Sequence, residues 1–177
     1  EAVGVNGYYQ LRRNQYAEAG ESFNRAIELN PNYALAYMWR ADTAYEQNRF
    51  LDMLGDKEKA YALDPMSLEI SNGLAFEYRS FWRPRDAERV IERMFALHPE
   101  HPLAYDAALE NLHAHGRLGE ALLTAEQGLL ANPDDENLTE WYSWLLLQVG
   151  LYDEAAAAGD EFIDFWVHLH NNRFEEA

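Results

Sequence analysis

The sequence contains no cysteine among its 177 residues. Disulfide bonds, thiolate metal sites and a cysteine nucleophile are therefore excluded. No apolar run approaches the roughly 18 residues that a membrane-spanning helix requires, and no basic-then-apolar segment opens the sequence. We expect a protein of the cytoplasm, with the periplasm as the alternative, and no insertion into a membrane.

Basic residues are also scarce, since 14 Lys and Arg face 31 Asp and Glu and leave a formal charge of −17. Such a charge repels phosphate backbones and anionic lipid headgroups, so we expect no nucleic-acid partner. Basic or apolar polypeptides are better candidates. Hydrophobic residues make up 48% of the chain, which is too apolar for a disordered protein and predicts a continuous core.

What the sequence does contain is a repeat of 34 residues. Proline recurs at this interval, and so do a mostly alanine position and an apolar position, at Pro31, Pro65, Pro99 and Pro133; at Ala19, Met53, Ala87, Ala121 and Ala155; and at Ile27, Tyr61, Phe95, Leu129 and Ile163. A fixed period between about 20 and 50 residues is typical of a repeat array. The chain has room for about five repeats, more than the roughly three that a stable stack needs.

Within each repeat, apolar residues recur at steps of three and four, which predicts two amphipathic helices, A and B, joined by a short turn. The predicted spans are 2–13, 17–29, 35–47, 51–63, 67–81, 85–97, 103–115, 119–131, 136–149 and from 152 onward. Gly116 and Gly150 are predicted to cap helices A in the left-handed conformation. In the third repeat, Trp82-Arg83-Pro84 is predicted to replace the usual turn.

These residues resemble the tetratricopeptide repeat family, whose pattern is W-x2-L-G-x2-Y followed by A-x3-F and a terminal P. The late Ala matches Ala19, Ala87, Ala121 and Ala155, the Phe matches Phe23, and the Pro matches the four prolines. The Gly slot holds Gly7, Ala41 and Ala75, where two helices must approach closely, but Leu109 and Ser143 in the last two repeats. The resemblance implies an all-α, right-handed superhelical solenoid of antiparallel helix pairs.

We expect a single domain over residues 1–177, with repeats at about 1–33, 34–67, 68–101, 102–135 and 136–167, and a partial sixth repeat or capping segment at 168–177. Because Ala177 follows Ala155 by 22 residues instead of 34, we hypothesise that about twelve residues of a sixth repeat are absent from the sequence, between 165 and 174. The chain starts at Glu1 and not at Met, and we expect it to be a piece of a longer protein.

In this family, the second, fifth, ninth, twelfth and thirteenth repeat positions of helix A line a concave groove. Carried over to this sequence, the rule selects an aromatic and acidic set: Tyr8, Leu11, Met38, Asp42, Tyr45, Glu46, Asn72, Phe76, Arg79, Asp106, Glu110, His113, Glu140 and Trp144. Aromatic side chains supply affinity at interfaces and carboxylates supply steering. The set suits a peptide or helix with basic and apolar residues. The alternative is that the carboxylates are only solvated helix surface.

The resemblance implies a non-enzymatic protein-interaction scaffold that binds no cofactor and no metal. The family's basic clamp for the C-terminal carboxylates of chaperones needs Lys and Asn where this chain has Gly4 and Tyr8, or Met38 and Asp42, so we do not expect chaperone tails to bind. The histidines, as at His98 and His101, offer at most two ligands together, whereas catalytic zinc takes three. A metal-dependent enzyme is the least favoured interpretation.

Two further interpretations stay open. The run from Leu63 to Ile70 is similar to repeats fused to bacterial transcription regulators and adenylate cyclases, which favours a sensor or regulatory domain of a larger bacterial signalling protein. The segment 161–170 is apolar over most of a helix surface, where a terminal repeat needs a polar outer face. We expect this segment to pack on helix B of the fourth repeat or under missing residues, and the alternative is self-association, as a homodimer through residues 161–170.

Overall fold

A computed structural model describes residues 2–158 of the chain. These residues form ten α-helices: α1 (Ala2–Leu11), α2 (Tyr16–Leu29), α3 (Ala34–Glu46), α4 (Phe50–Leu63), α5 (Leu68–Ser80), α6 (Pro84–Leu97), α7 (Pro102–Ala114), α8 (Leu118–Ala131), α9 (Glu136–Val149) and α10 (Tyr152–Ala158). The odd-numbered helices are helices A and the even-numbered ones helices B. The predicted capping segment 168–177, the proposed gap between 165 and 174 and the predicted self-association surface 161–170 lie outside the described residues.

The helices form two compact units. The first runs to Phe81 and contains α1 to α5, and the second begins at Trp82 and contains α6 to α10. In each unit every helix packs on the next one along the chain. Because turns of only a few residues join consecutive helices, neighbouring helices run in opposite directions.

The core of each unit follows the 34-residue period. The predicted alanine line, with Met53 in the second repeat, is buried at every repeat, with no member more than 1% exposed. The alanine side chains on this line let neighbouring helices approach closely. Larger buried side chains at other positions, such as Phe23 and Leu109, fill the space between the helices. Gly7 is needed for the same reason, because a Cβ atom there would lie 2.7 Å from Cε1 of the Phe23 ring.

The turn between helix A and helix B has one geometry in all five repeats. One residue per turn adopts a left-handed backbone conformation, with φ between +56° and +84°, at Asn14, Asn48, Trp82, Gly116 and Gly150. The prediction for the two glycines is confirmed. The prediction that Trp82-Arg83-Pro84 replaces the usual turn is wrong, because Trp82 takes the same conformation and Pro84 simply begins α6.

The left-handed residue in this turn also explains why several helix ends differ from the predicted ones. Four of the helices B begin one residue earlier than predicted, at Tyr16, Phe50, Pro84 and Leu118, while α1 ends at Leu11 and α5 at Ser80. A left-handed residue cannot continue a right-handed helix, so helix A must end before it. At the other end, α5 begins after Ser67, whose side chain accepts a hydrogen bond from the Ile70 backbone N–H at 3.3 Å.

Three of the helices B each have an equivalent ion pair at their first turn. Arg49, Arg83 and Arg117 precede the helices and pair with Asp52, Asp86 and Glu120, three residues further on, at 3.3, 2.6 and 2.7 Å. The carboxylates lie at the positive end of the helix dipole. Hydrogen bonds from the Arg83 and Arg117 guanidinium groups hold the pKa of Asp86 and that of Glu120 below their usual range.

Candidate functional site

The helix-A face of the first unit is organised around a lysine that comes from a helix B. Lys57 on α4 lies with Nζ 3.3 Å from Oδ1 of Asp42 on α3 and 3.6 Å from Oε1 of Glu77 on α5. The Lys57 side chain is 14% exposed and that of Glu77 is 9% exposed. We call these three residues the ion triad; it joins three successive helices and carries a net charge of −1 when all its members are ionised.

Burial governs the titration of the triad. It raises the pKa of the Asp42 carboxyl and that of the Glu77 carboxyl, because a partly dehydrated carboxylate is less stable than its protonated form. The Lys57 ammonium acts against both shifts. Within the triad, one cation is therefore shared by two carboxylates in a setting that disfavours charge.

A cavity of about 190 Å³ lies next to the ion triad. Met38, Glu69 and Asn72 line it together with Asp42 and Lys57. Gly73 also lines the cavity, and a Cβ atom at this position would be in ordinary van der Waals contact with Lys57 Nζ, at 3.5 Å. Met38 is itself only 9% exposed, so it forms the cavity wall more than the surface.

The first unit also carries exposed aromatic rings. Tyr8 packs on Trp39 with ring centroids 5.2 Å apart. Tyr45 meets Phe50 edge to face at 5.9 Å. The Arg79 guanidinium lies 4.9 Å from the centre of the exposed Phe76 ring, within the range of a cation–π contact.

In the second unit, three aromatic rings from α7 and α9 form a compact triangle. The centroid of His113 lies 4.6 Å from that of Trp144 and 5.7 Å from that of Trp141, and the two indoles are 5.8 Å apart. We call these residues the aromatic cluster. Trp144 is 36% exposed, whereas Trp141 also packs against the core residues around Leu109 and Leu138.

Hydrogen bonds orient two of the three rings of the aromatic cluster, and Trp144 packs against both. The Trp141 indole N–H donates to Oδ1 of Asp106 at 2.9 Å, and the Asn137 amide donates to the same oxygen at 2.9 Å. The Gln148 amide nitrogen lies 3.2 Å from Nε2 of His113. The arrangement is therefore set before any ligand arrives.

The structure brings the predicted site residues together in two groups. Met38, Asp42 and Asn72 meet at the ion triad, while Asp106, His113 and Trp144 meet at or beside the aromatic cluster. Tyr8, Tyr45, Phe76, Glu46 and Glu140 are exposed on their helices, and Leu11, Arg79 and Glu110 are half-buried.

Three residues of these groups escaped the family rule. Lys57 lies on a helix B, Glu77 faces inward from α5, and Trp141 falls between the positions that the rule selects. One sequence signal could have found Trp141, because Trp39 occupies the same repeat position three periods earlier and also packs against neighbouring aromatic rings. Lys57 and Glu77 left no comparable signal.

Across residues 2–158, no three His, Asp or Glu side chains come close enough together to hold a metal ion. Among the same residues, none of the helices combines the length and the apolar character needed to cross a membrane.

Comparison with known proteins gives one match to a family and several to folds. The sequence model of the tetratricopeptide repeat matches residues 5–67 and 110–166, together more than half of the chain. The DnaJ homolog subfamily C member 7 homolog of Dictyostelium discoideum is 34% identical over 61 residues. That match covers 34% of this chain and only 11% of the relative.

Two solved structures resemble this chain over most of its length. A tetratricopeptide repeat protein of Parabacteroides merdae superposes with a TM-score of 0.73 at 18% identity, over 88% of this chain and 61% of that one. PilF of Pseudomonas aeruginosa superposes with a TM-score of 0.74 at 18% identity, over 89% and 72%. These similarities confirm the predicted all-α solenoid fold, and the family match shows that the chain belongs to the tetratricopeptide repeat family.

Proposed function

We propose that this chain is a non-enzymatic interaction scaffold, and that a polypeptide with basic and apolar residues binds to the helix-A faces of its units. The observation that supports this most is the exposure of aromatic rings at a single repeat position of helices A, at Tyr8, Phe76 and Trp144. Exposed aromatic side chains grouped on one face are typical of interaction sites.

The charge distribution indicates the chemistry of the partner. Carboxylates such as Asp42 and Glu46 in the first unit, and Asp106 and Glu140 in the second, share these faces with the aromatic rings. Side chains of a partner with Lys or Arg beside apolar residues complement both features. The formal charge of −17 steers such a partner toward the protein, more strongly at low salt.

The proposal is tested by selecting peptides from a random display library on the unaltered chain and measuring how variants bind them. Tyr45→Ala with Phe76→Ala alters the first unit, and Trp144→Ala alters the second. Leu123→Ala with Leu130→Ala is the matched control, because these leucines are exposed apolar side chains on a helix B.

We expect the selected peptides to be rich in Arg or Lys and in apolar residues. At least one helix-A variant should bind them at least tenfold more weakly, while the helix-B control binds normally. Peptides that all variants bind equally, or that only the helix-B control loses, would move the interaction away from the helix-A faces.

Two alternatives stay predictions. A regulatory role within a larger bacterial signalling protein is tested by identifying the gene product that contains this sequence.

Self-association through residues 161–170 is tested by sedimentation over a hundredfold range of protein concentration, where a constant mass of one chain would contradict it.

A further inference from the structure

We propose that the aromatic cluster of His113, Trp141 and Trp144 is a binding site for one arginine side chain of the partner polypeptide. This inference rests on the proposed function and names the chemistry of one contact within it. The guanidinium group would stack on the exposed face of Trp144 and pair with carboxylates beside it. Asp106 on α7 and Glu140 on α9 are the residues placed for this pairing.

The first support is the set of ring faces. An indole presents negative charge on its face, and tryptophan is the best partner for a cation among the aromatic side chains. The rings of His113 and Trp141 pack against Trp144 at 4.6 and 5.8 Å and hold it in place, while Trp144 stays 36% exposed. The Trp144 ring is therefore both held in place and partly exposed.

The second support is the charge around the cluster. From Glu100 to Glu154 the sequence contains eleven Asp and Glu residues but a single Arg and no Lys. That residue, Arg117, pairs with Glu88 and Glu120 on helices B. Among the described residues, neither Asp106 nor Glu140 has a Lys or Arg in an ion pair, so a cation from outside is the partner that this surface lacks.

The third support is the geometry of Asp106. Both of its described hydrogen bonds, from Trp141 and from Asn137, go to Oδ1, and no donor among the described residues binds Oδ2. The carboxylate is thus oriented through one oxygen while the other remains an acceptor. Because rings and carboxylate are already fixed, a ligand would lose little free energy to ordering the site.

A planar guanidinium group fits this arrangement better than an ammonium group. It stacks on an aromatic face and at the same time donates in its own plane to a carboxylate, whereas an ammonium group is more strongly hydrated and has no flat face. We therefore commit to arginine and treat lysine as an alternative outcome of the test.

The test titrates the full chain with Nα-acetyl-arginine amide, with the citrulline analogue and with the lysine analogue. Citrulline has nearly the shape of arginine without its charge. The indole N–H resonances of the five tryptophans report the position of binding by NMR, with Trp39 and Trp82 as internal controls. We expect the arginine probe to shift the resonances of Trp141 and Trp144, with an affinity roughly 2- to 30-fold above that of citrulline.

Two variants identify the site. Trp144→Leu should abolish the shift of the Trp141 resonance, while Trp82→Asn should leave binding unchanged. Trp82 is the matched control because it is also exposed but lies outside the cluster, and asparagine occupies the same repeat position at Asn14 and Asn48.

Equal binding of arginine and citrulline would show an apolar surface without selectivity for charge and would overturn the inference. Equal binding of lysine would overturn the choice of arginine. Neither result touches the proposed function, because display-selected peptides that depend on Tyr45 and Phe76 would still support it. Conversely, if the arginine probe binds but no polypeptide is selected, the site stands and the proposed function fails.

Discussion

The ion triad on α3 to α5 and the aromatic cluster on α7 and α9 have one repeat position in common, but they have different physical roles. Asp42 and Trp144 stand at the same repeat position, three periods apart. Asp42 pairs with a half-buried lysine of its own unit, whereas Trp144 is 36% exposed. The family's positional rule thus locates a surface but does not determine whether a side chain there supports the fold or is available to a ligand.

Breaking the ion triad should lower the free energy of unfolding more than any other change proposed below. Lys57→Met keeps a long side chain but leaves the Glu77 carboxylate buried without its cation. Removing one partner of a buried ion pair costs 3–5 kcal/mol, and because Asp42 is partly exposed we expect the low end, about 3 kcal/mol of unfolding free energy. Urea denaturation measures it.

Lys59→Met is the control for this change, since Lys59 is exposed on the same helix and should alter stability by less than about 0.5 kcal/mol. If both lysine variants are equally stable, the triad does not stabilise the first unit and the contrast between the two regions disappears.

A change beside the aromatic cluster should lower the stability less. Asp106→Asn retains an acceptor for the Trp141 indole N–H but removes the charge that strengthens both hydrogen bonds. We expect a loss of about 1 kcal/mol, since bonds to charged groups exceed neutral ones by roughly that amount. Thermal unfolding measures this loss, and an NMR shift of the Trp141 indole proton shows that the bond itself has changed.

Glu140→Gln is the matched control on the same surface, because Glu140 is exposed and no described hydrogen bond depends on its charge. A loss at Asp106→Asn as large as that at Lys57→Met would mean that the aromatic cluster also supports the fold, contrary to the comparison.

The limits of prediction from sequence follow the same division. The ten helices, the buried alanine line and the left-handed glycines could be predicted, because each depends on the period or on residues adjacent in the chain. The ion triad could not, since Lys57 reaches Asp42 and Glu77 on two different helices and its partners lie 15 and 20 positions away. Trp82 was misjudged because a bulky residue is rarely found in a left-handed conformation.

Trp82 differs from Trp144 because it lies at a left-handed turn and not within a helix. Trp82 is 81% exposed and has a φ of +56°. Its ring packs edge to face against that of His115, with the ring centroids 6.5 Å apart. We expect Trp82→Gly to be more stable than Trp82→Ala by about 1 kcal/mol, because only glycine adopts this conformation without strain. Thermal unfolding of the two variants, which both lose the ring, isolates the backbone contribution.

Equal stability of the two Trp82 variants would show that the left-handed conformation costs nothing at this turn. Both Trp82 variants should bind the arginine probe as the unaltered chain does. Trp144→Leu should show the reverse, with weakened binding and nearly unchanged stability, because its ring is only partly involved in packing.

The smallest expected effect is a difference in pH dependence at the ion triad. Burial raises the pKa of Glu77 in the folded chain above the value of 4.5 that the group has when unperturbed, so the folded state binds more protons than the unfolded state just above this pH. The associated stability is fully present below pH 4.5 and is lost as the pH rises through the raised pKa. Glu77→Gln removes this contribution.

The stability of Glu77→Gln relative to the unaltered chain should therefore increase as the pH rises from 4.5 toward neutrality, measured by urea denaturation at a series of pH values. Glu120→Gln is the opposite case in the second unit, since pairing with Arg117 lowers the pKa of Glu120. Its stability relative to the unaltered chain should increase as the pH falls below 4.5, where Glu120 loses its charge. Parallel profiles for the two variants would show that the two carboxylates experience the same environment, and the distinction between a buried, shared cation and an exposed ion pair would fail.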